Sequence, residues 1–282
     1  MNRYKASATH LGISAIVIAI FFSIVFFIWY PAPYFSIEGT YNVIVILIAV
    51  DLVLGPLLTL IVFKPGKPSL KFDLSVIVLI QLSALIYGAN TIYSERPYFV
   101  AFAIDRFTVI AASDVKNMDL SQLDANVNHL QLGPSYVYAT RPEDPQLRLK
   151  ILKEAAAGGP DIDRHPELYR DLKTHIAGSF DRSLDLDTLA SQLPGNKPII
   201  NDFRSRYPDT QALAFYPLLG KYRETVLVID KNTASVIDYI NVPPWKKLSK
   251  PMPEPPAKTD LQPGDNTAIQ GLPGSPFLND RK

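Results

Sequence analysis

The densest group of ionisable side chains is Asp161, Asp163, Arg164, His165, Glu167, Arg170 and Asp171. Carboxylates beside a histidine are the raw material of a divalent metal site or of general acid–base catalysis. Their order argues for a milder role. His165 precedes Pro166 where a helix would begin, Glu167 complements the positive end of that helix, and Arg170 reaches back to Glu167 across helical spacing. The chain has four histidines and no cysteine, which excludes disulfides, thiolate zinc sites and Cys nucleophiles. It contains no Gly-x-Ser-x-Gly elbow, phosphate-binding glycine loop or His-Glu-x-x-His helix. The expectation is a non-enzymatic protein without catalytic residues, cofactor or metal.

One acid stands apart. Asp51 lies in the middle of an apolar run, where ionisation in lipid would cost at least a few kcal/mol. Gly55 and Pro56 follow one helical turn later, and Pro56 has no N–H for the carbonyl of Leu52. Two readings stay open. Asp51, Gly55 and Pro56 could form a docking site for a partner's helix or a proton-sensitive element. Alternatively Asp51 is internal glue, satisfied by Gln81, Ser83 or Tyr87, with Gly55 permitting close helix approach.

The element that carries Asp51 is one of three long apolar runs. Leu11 to Tyr30 contains no charge, and about 20 helical residues match a hydrocarbon core of roughly 30 Å. Arg3 and Lys5 resemble the start of a secretory signal, but the apolar run is long and no small-x-small cleavage site precedes the next run, so an uncleaved anchor is expected. Tyr41 to Phe63 and Phe72 to Tyr93 are also long enough to cross. The Lys64-Pro65-Gly66-Lys67-Pro68 segment between them reads as a tight, positively charged reversal. Arg3, Lys5, Lys64, Lys67 and Lys71 keep their flanks in the cytoplasm, whereas Pro31 to Thr40 contains only Glu38 as a charge and faces outward. The third run then carries the rest of the chain outward, and Trp29, Tyr30, Tyr34 and Tyr41 would form an interfacial belt. In a Gram-negative cell this is a multi-pass inner-membrane protein with a cytoplasmic N-terminus and a periplasmic domain. A net charge of +1, with basic residues interspersed among acids, leaves no electrostatic basis for nucleic-acid binding.

The fold class follows as a membrane protein of four parts. Residues 1–10 are a cytoplasmic N-terminus, 11–93 a domain of three transmembrane α-helices, 94–245 a mixed α+β periplasmic domain and 246–282 a disordered Pro-rich tail. Within the outer domain, Tyr98 to Ala112 predicts a hairpin or one long strand, and Glu224 to Ile240 predicts two antiparallel strands around Lys231-Asn232. Helices are predicted for Pro145 to Ala157 with Asp144 as N-cap, for Pro166 to Ile176, and for Asp185 to Leu193.

The run WYPAPYF from Trp29 to Phe35, the run VDLVLGPLLTLIVFKPGKPSLKFDL from Val50 to Leu74, and VAFAIDRFTVI from Val100 to Ile110 resemble the type IV pilin accessory protein family of Gram-negative bacteria. PELYR at Pro166 to Arg170 and the closing hairpin near Trp245 are similar to the family's outer domain, while the tail after Trp245 looks longer and more Pro-rich. The resemblance implies a chaperone-like inner-membrane protein that assists assembly, stability or surface display of a specific type IV major pilin. Its partners would be that pilin, the inner-membrane pilus assembly machinery and the lipid bilayer. By the same token Asp51, Gly55 and Pro56 would make intramembrane contacts and Asp105 and Arg106 would be polar contacts of the outer domain. A membrane-anchored periplasmic sensor or regulator is the alternative, although little cytoplasmic chain is in view for an output, and a transporter would rest on Asp51 alone.

Overall fold

A computed structural model describes residues 2–116, 118–127 and 133–245; the tail expected to be disordered, 246–282, lies outside the described residues. Three helices long and apolar enough to cross a membrane come first: α1 (Arg3–Trp29), α2 (Tyr41–Val62) and α3 (Leu70–Ser94). Their ends agree with the sequence to within a few residues except at the start of α1. There Asn2 caps the helix through a bond from Lys5 N–H, adding two turns before the apolar run. Gly66 at φ +79 permits the predicted reversal, and Lys67 pairs with Asp73 at 2.6 Å across it.

α2 is not uniform. It winds as wide π turns over Ala49–Leu54, so that Gly55 N–H bonds to Val50 O, and returns to α geometry over Gly55–Val62. α2 lies between α1 and α3 and packs against both.

β1 (Pro97–Ala103) starts as soon as α3 ends, and the sheet it founds has seven strands in the order β4-β3-β1-β2-β5-β6-β7. β2 (Arg106–Ala111) closes a hairpin with β1; β3 (Ser135–Ala139) runs parallel to β1, and β4 (Tyr169–Asp171) antiparallel to β3. β5 (Leu213–Leu219) is parallel to β2 and leads into the antiparallel pair β6 (Glu224–Asp230) and β7 (Ser235–Ile240). Both faces of the central strands are covered, which is why β1 reads PYFVAFA and β6 ETVLVID instead of alternating with polar residues. On one face Phe99, Ala101 and Val137 pack with Tyr169, and Phe215 and Val228 pack beneath α5 (Leu186–Gln192) and α6 (Asn196–Arg206). α4 (Pro145–Ala156) begins on Asp144, whose carboxylate accepts from the N–H groups of Gln146 and Leu147, as its sequence predicts.

Three expectations need correction, and one open alternative is decided. The helix predicted over Pro166 to Ile176 is divided. A 3-10 turn at Pro166–Leu168 gives way to β4, because Tyr169, Arg170 and Asp171 pair with Ala139, Tyr138 and Val137, and Asp171 then caps a single turn at Leu172–His175. Of the two alternatives for Tyr98 to Ala112, the chain takes the hairpin, which turns at Ile104 and Asp105; Ile104 takes φ +61, and its carbonyl accepts from Arg182 Nη1 at 2.9 Å. The β6–β7 connection spans Lys231 to Ala234, with Ala234 at φ +51. Finally, Tyr30 and Tyr34 are not in an interfacial belt, because each is only 1% exposed and lies in a core described below.

Candidate functional site

The polar group at mid-bundle is assembled by α2 and α3. Gln81 Nε2 donates to Asp51 Oδ1 at 3.1 Å and lies 3.4 Å from the Asp51 carbonyl. The second contact follows from the π turns. With bonds running from residue i to i−5, the carbonyl that a donor at position 56 would serve is that of Asp51, not Leu52, and Pro56 has no donor to offer. Of the three candidates for satisfying Asp51, Gln81 is the one that does so; Ser83 is exposed and Tyr87 is 76% exposed. Asp51 itself is 5% exposed, and its Oδ2 has no hydrogen-bond partner.

Gly55 and Pro56 are also buried. A Cβ on Gly55 would collide with the Gln81 amide, so this glycine is what lets α3 approach close enough for the Asp51 bond. Ser7 Oγ of α1 donates to the Pro56 carbonyl at 2.8 Å, and His10 Nδ1 and Thr59 Oγ1 are 2.6 Å apart. Each neighbour of α2 is thus tied to it by side-chain hydrogen bonds. A groove of about 340 Å³ runs between α1 and α3, with Asp51 and Thr59 of α2 in its lining.

At the other end of the bundle the connection between α1 and α2 is wedged against the sheet. Tyr30 OH donates to Ile92 O at 2.9 Å, and Tyr34 OH donates to Tyr136 OH of β3 at 2.7 Å. Ile37 O accepts from the N–H groups of Tyr222 and Arg223 in the β5–β6 turn, at 2.9 and 3.2 Å. One hydrophobic cluster includes Tyr30, Tyr34, Ile37, Leu47 and Ile92 together with Val100, Phe102, Phe107, Tyr216 and Leu227 of the sheet. Lys221 links the two acids at this junction. Its N–H donates to Glu38 Oε1 at 3.2 Å, and its Nζ donates to Glu95 Oε2 at 3.0 Å. Burial pushes the Glu38 carboxyl up to about 7, partly offset by Lys221 and reinforced by Glu95 and Asp114. The bond from Lys221 holds Glu95 below the usual carboxylate range.

Asp105 and Arg106 lie elsewhere. They pair with each other at 2.8 Å on the hairpin tip, both about half-exposed, with the Arg106 guanidinium over the Trp245 ring. The six residue steps of β1 put that tip roughly 20 Å beyond the end of α3, so the structure does not bring this pair together with Asp51. The acid-rich stretch from Asp161 to Asp171 is dispersed into local roles. Arg164 pairs with Asp114 at 2.8 Å, His165 Nδ1 meets Glu167 at 3.0 Å, and Asp171 caps a helical turn. Among the described residues, no group of three or more His, Asp or Glu side chains converges to hold a metal ion. Sequence reasoning missed Ser7, His10 and Thr59 around the groove, and also the Glu38–Lys221–Glu95 link. Glu38 carried a signal as the only charge in its loop, whereas Lys221 carried none.

Against known proteins, the family described as Fimbrial assembly protein FimB matches residues 1–39. The chain is 34% identical over 233 residues to the "Fimbrial assembly protein, serogroup I" of Dichelobacter nodosus, covering 81% of this chain and 91% of that one. It is 32% identical over 167 residues to the serogroup E1 protein of the same organism, covering 58% of this chain and 65% of the relative. It is 38% identical over 120 residues to the protein of serogroups C1 and C2, covering 42% and 92% respectively. No solved structure matches.

Proposed function

The chain belongs to the fimbrial assembly protein family, and on that premise we propose that it is a non-enzymatic, chaperone-like accessory of type IV pilus biogenesis, acting on a particular major pilin at the inner membrane. In this reading α1, α2 and α3 cross the bilayer, the Lys-rich reversal stays in the cytoplasm, and the sheet domain stands in the periplasm. The observation that carries it is the shared core between the α1–α2 connection and the sheet. Such a contact requires that connection and the domain to lie on the same side of the bilayer, in agreement with the positive flanks on the opposite side. It also holds an intramembrane surface and an outer surface in fixed register. A pilin waiting in the membrane offers the complementary pair, an apolar helix and a globular head outside.

Deletion of the gene with complementation, measuring total pilin and surface pili in the same cells, tests the reading. Loss of pili restored by complementation is expected. Low pilin would assign the protein to stabilisation and normal pilin to delivery, whereas unchanged pili and pilin would overturn the proposal. A reporter active only in the periplasm, fused after Ser113, is expected to be active, and an inactive fusion would reverse the orientation.

A further inference from the structure

The groove between α1 and α3 is confined to one half of the bundle. Its lining runs from Ala6 to Val17 on α1, takes Asp51 and Thr59 from α2 and Phe63 from just past its end, and runs from Leu74 to Leu85 on α3, which is the half adjoining Arg3 and the Lys-rich reversal. Beyond it the helices converge. The Trp29 and Tyr93 rings meet at 5.0 Å, and Leu47 packs directly on Gly88, where any Cβ would intrude. The open stretch from Ala6 to Val17 is about 17 Å long, enough for three turns of another helix.

Its surface is that of a helix seat. Ala6 and Ser14 are small and lie deep, at 5% and 9% exposed, so a foreign backbone can come close. Ile13 and Val78 form apolar rims that are 59% and 54% exposed. At the far end lies Asp51, nearly buried, with Oδ2 unpartnered. Acyl chains would wet the rims but have no polar hydrogen to bring to that carboxyl. A helix with a hydroxyl, amide or ammonium at this depth has one.

We propose that this groove seats the membrane helix of a fimbrial subunit, which brings a hydrogen-bond donor to Asp51. The assignment rests on the accessory reading above and adds the place and chemistry of recognition. Gly55 and Pro56 then build the seat by fixing α2 on α3, while Asp51 and Gln81, both in the groove lining, face the occupant, and Asp51 carries the unmet acceptor. The closed outer end leaves the outer half of the occupant helix free, as a protein that passes its partner onward requires.

The test places a photo-crosslinking amino acid at Val17 or Val78 of the full chain in its own membrane, with Ile61, 70% exposed and outside the groove, as control. Adducts are identified by mass spectrometry. A fimbrial subunit captured from Val17 and Val78 but not from Ile61 is the expected result. Asp51→Leu should reduce that capture about tenfold at unchanged abundance of the chain, and Asp51→Asn, which retains an acceptor, should reduce it far less. Adducts to lipid alone, or to a second copy of this chain, would overturn the assignment. If deletion abolishes pili while groove adducts contain only lipid, this inference fails and the accessory reading stands; the wild-type crosslinks decide the matter even if Asp51→Leu does not fold.

Discussion

The two ends of the helical bundle are built on opposite principles. At the end joined to the sheet, large side chains fill the space and their polar atoms are paired: Tyr30 with the Ile92 carbonyl, Tyr34 with Tyr136, and the Ile37 carbonyl with the β5–β6 turn. At the other end the helices leave an open groove, apolar at its rims and with the small Ala6 and Ser14 deep in it, and Asp51 keeps one oxygen without a partner. Dense, satisfied packing produces a rigid reference, whereas an unfilled seat with an unmet hydrogen bond is stabilised by whatever enters it. The closed end thus fixes the sheet domain to the bundle, and the open end is the half to which the proposal above assigns recognition.

The strongest way to break this contrast is to remove the packing of the closed end. Tyr34→Ala should cost about 3–5 kcal/mol in unfolding free energy of the full chain in detergent, while Tyr34→Phe, which loses only the bond to Tyr136, should cost about 1 kcal/mol. Equal costs for the two would show that the ring is not part of a filled core. Gly39 comes next, since it adopts φ +72 and faces the Tyr222 ring, leaving no room for a side chain. Gly39→Val is expected to cost about 1–3 kcal/mol and to increase proteolytic cleavage in the β5–β6 turn. A smaller effect belongs to the open end, where Gln81→Leu should cost about 1 kcal/mol, because a single interhelical donor is lost. A cost as large as that of Tyr34→Ala would erase the distinction between the two ends.

The smallest effect sharpens the comparison through pH. Glu38 holds its proton more tightly in the folded chain than its ordinary value of 4.5 would allow, up to about 7. The folded state therefore binds more protons than the unfolded chain between these values, so stability falls as pH rises through this window. The contribution is fully present below the ordinary carboxylate value and is lost above about 7. Glu38→Gln should flatten the slope of urea-unfolding stability between about pH 5 and pH 8, and an unchanged slope would show that Glu38 titrates as a solvated group.

What could be read from sequence was whatever rests on neighbours along the chain. Three helices followed from hydropathy over windows of about 20 residues, the reversal at Gly66 from Pro and Gly, and the start of α4 from Asp144. β6 and β7 were legible from their β-branched runs. β4 was not, because three residues of a helix-like stretch became a strand only by pairing with β3. α6 was masked by Pro198, which is harmless in a first turn. The candidate site was half legible. An acid in an apolar helix declared itself, but its partner did not, since Gln81, Ser83 and Tyr87 all lie on α3 and only the rotation of that helix about its axis selects among them.

By itself, then, the sequence determined which segments are apolar enough to cross a membrane, where the chain reverses, and that a polar group stands at mid-helix, because these depend on local composition and backbone preference. Tertiary structure alone decided that Tyr30 and Tyr34 are core residues, that the α1–α2 connection locks onto the sheet, and that the helices part at one end to leave a groove. Each of these depends on contacts between residues far apart in the chain, whose geometry no local pattern encodes.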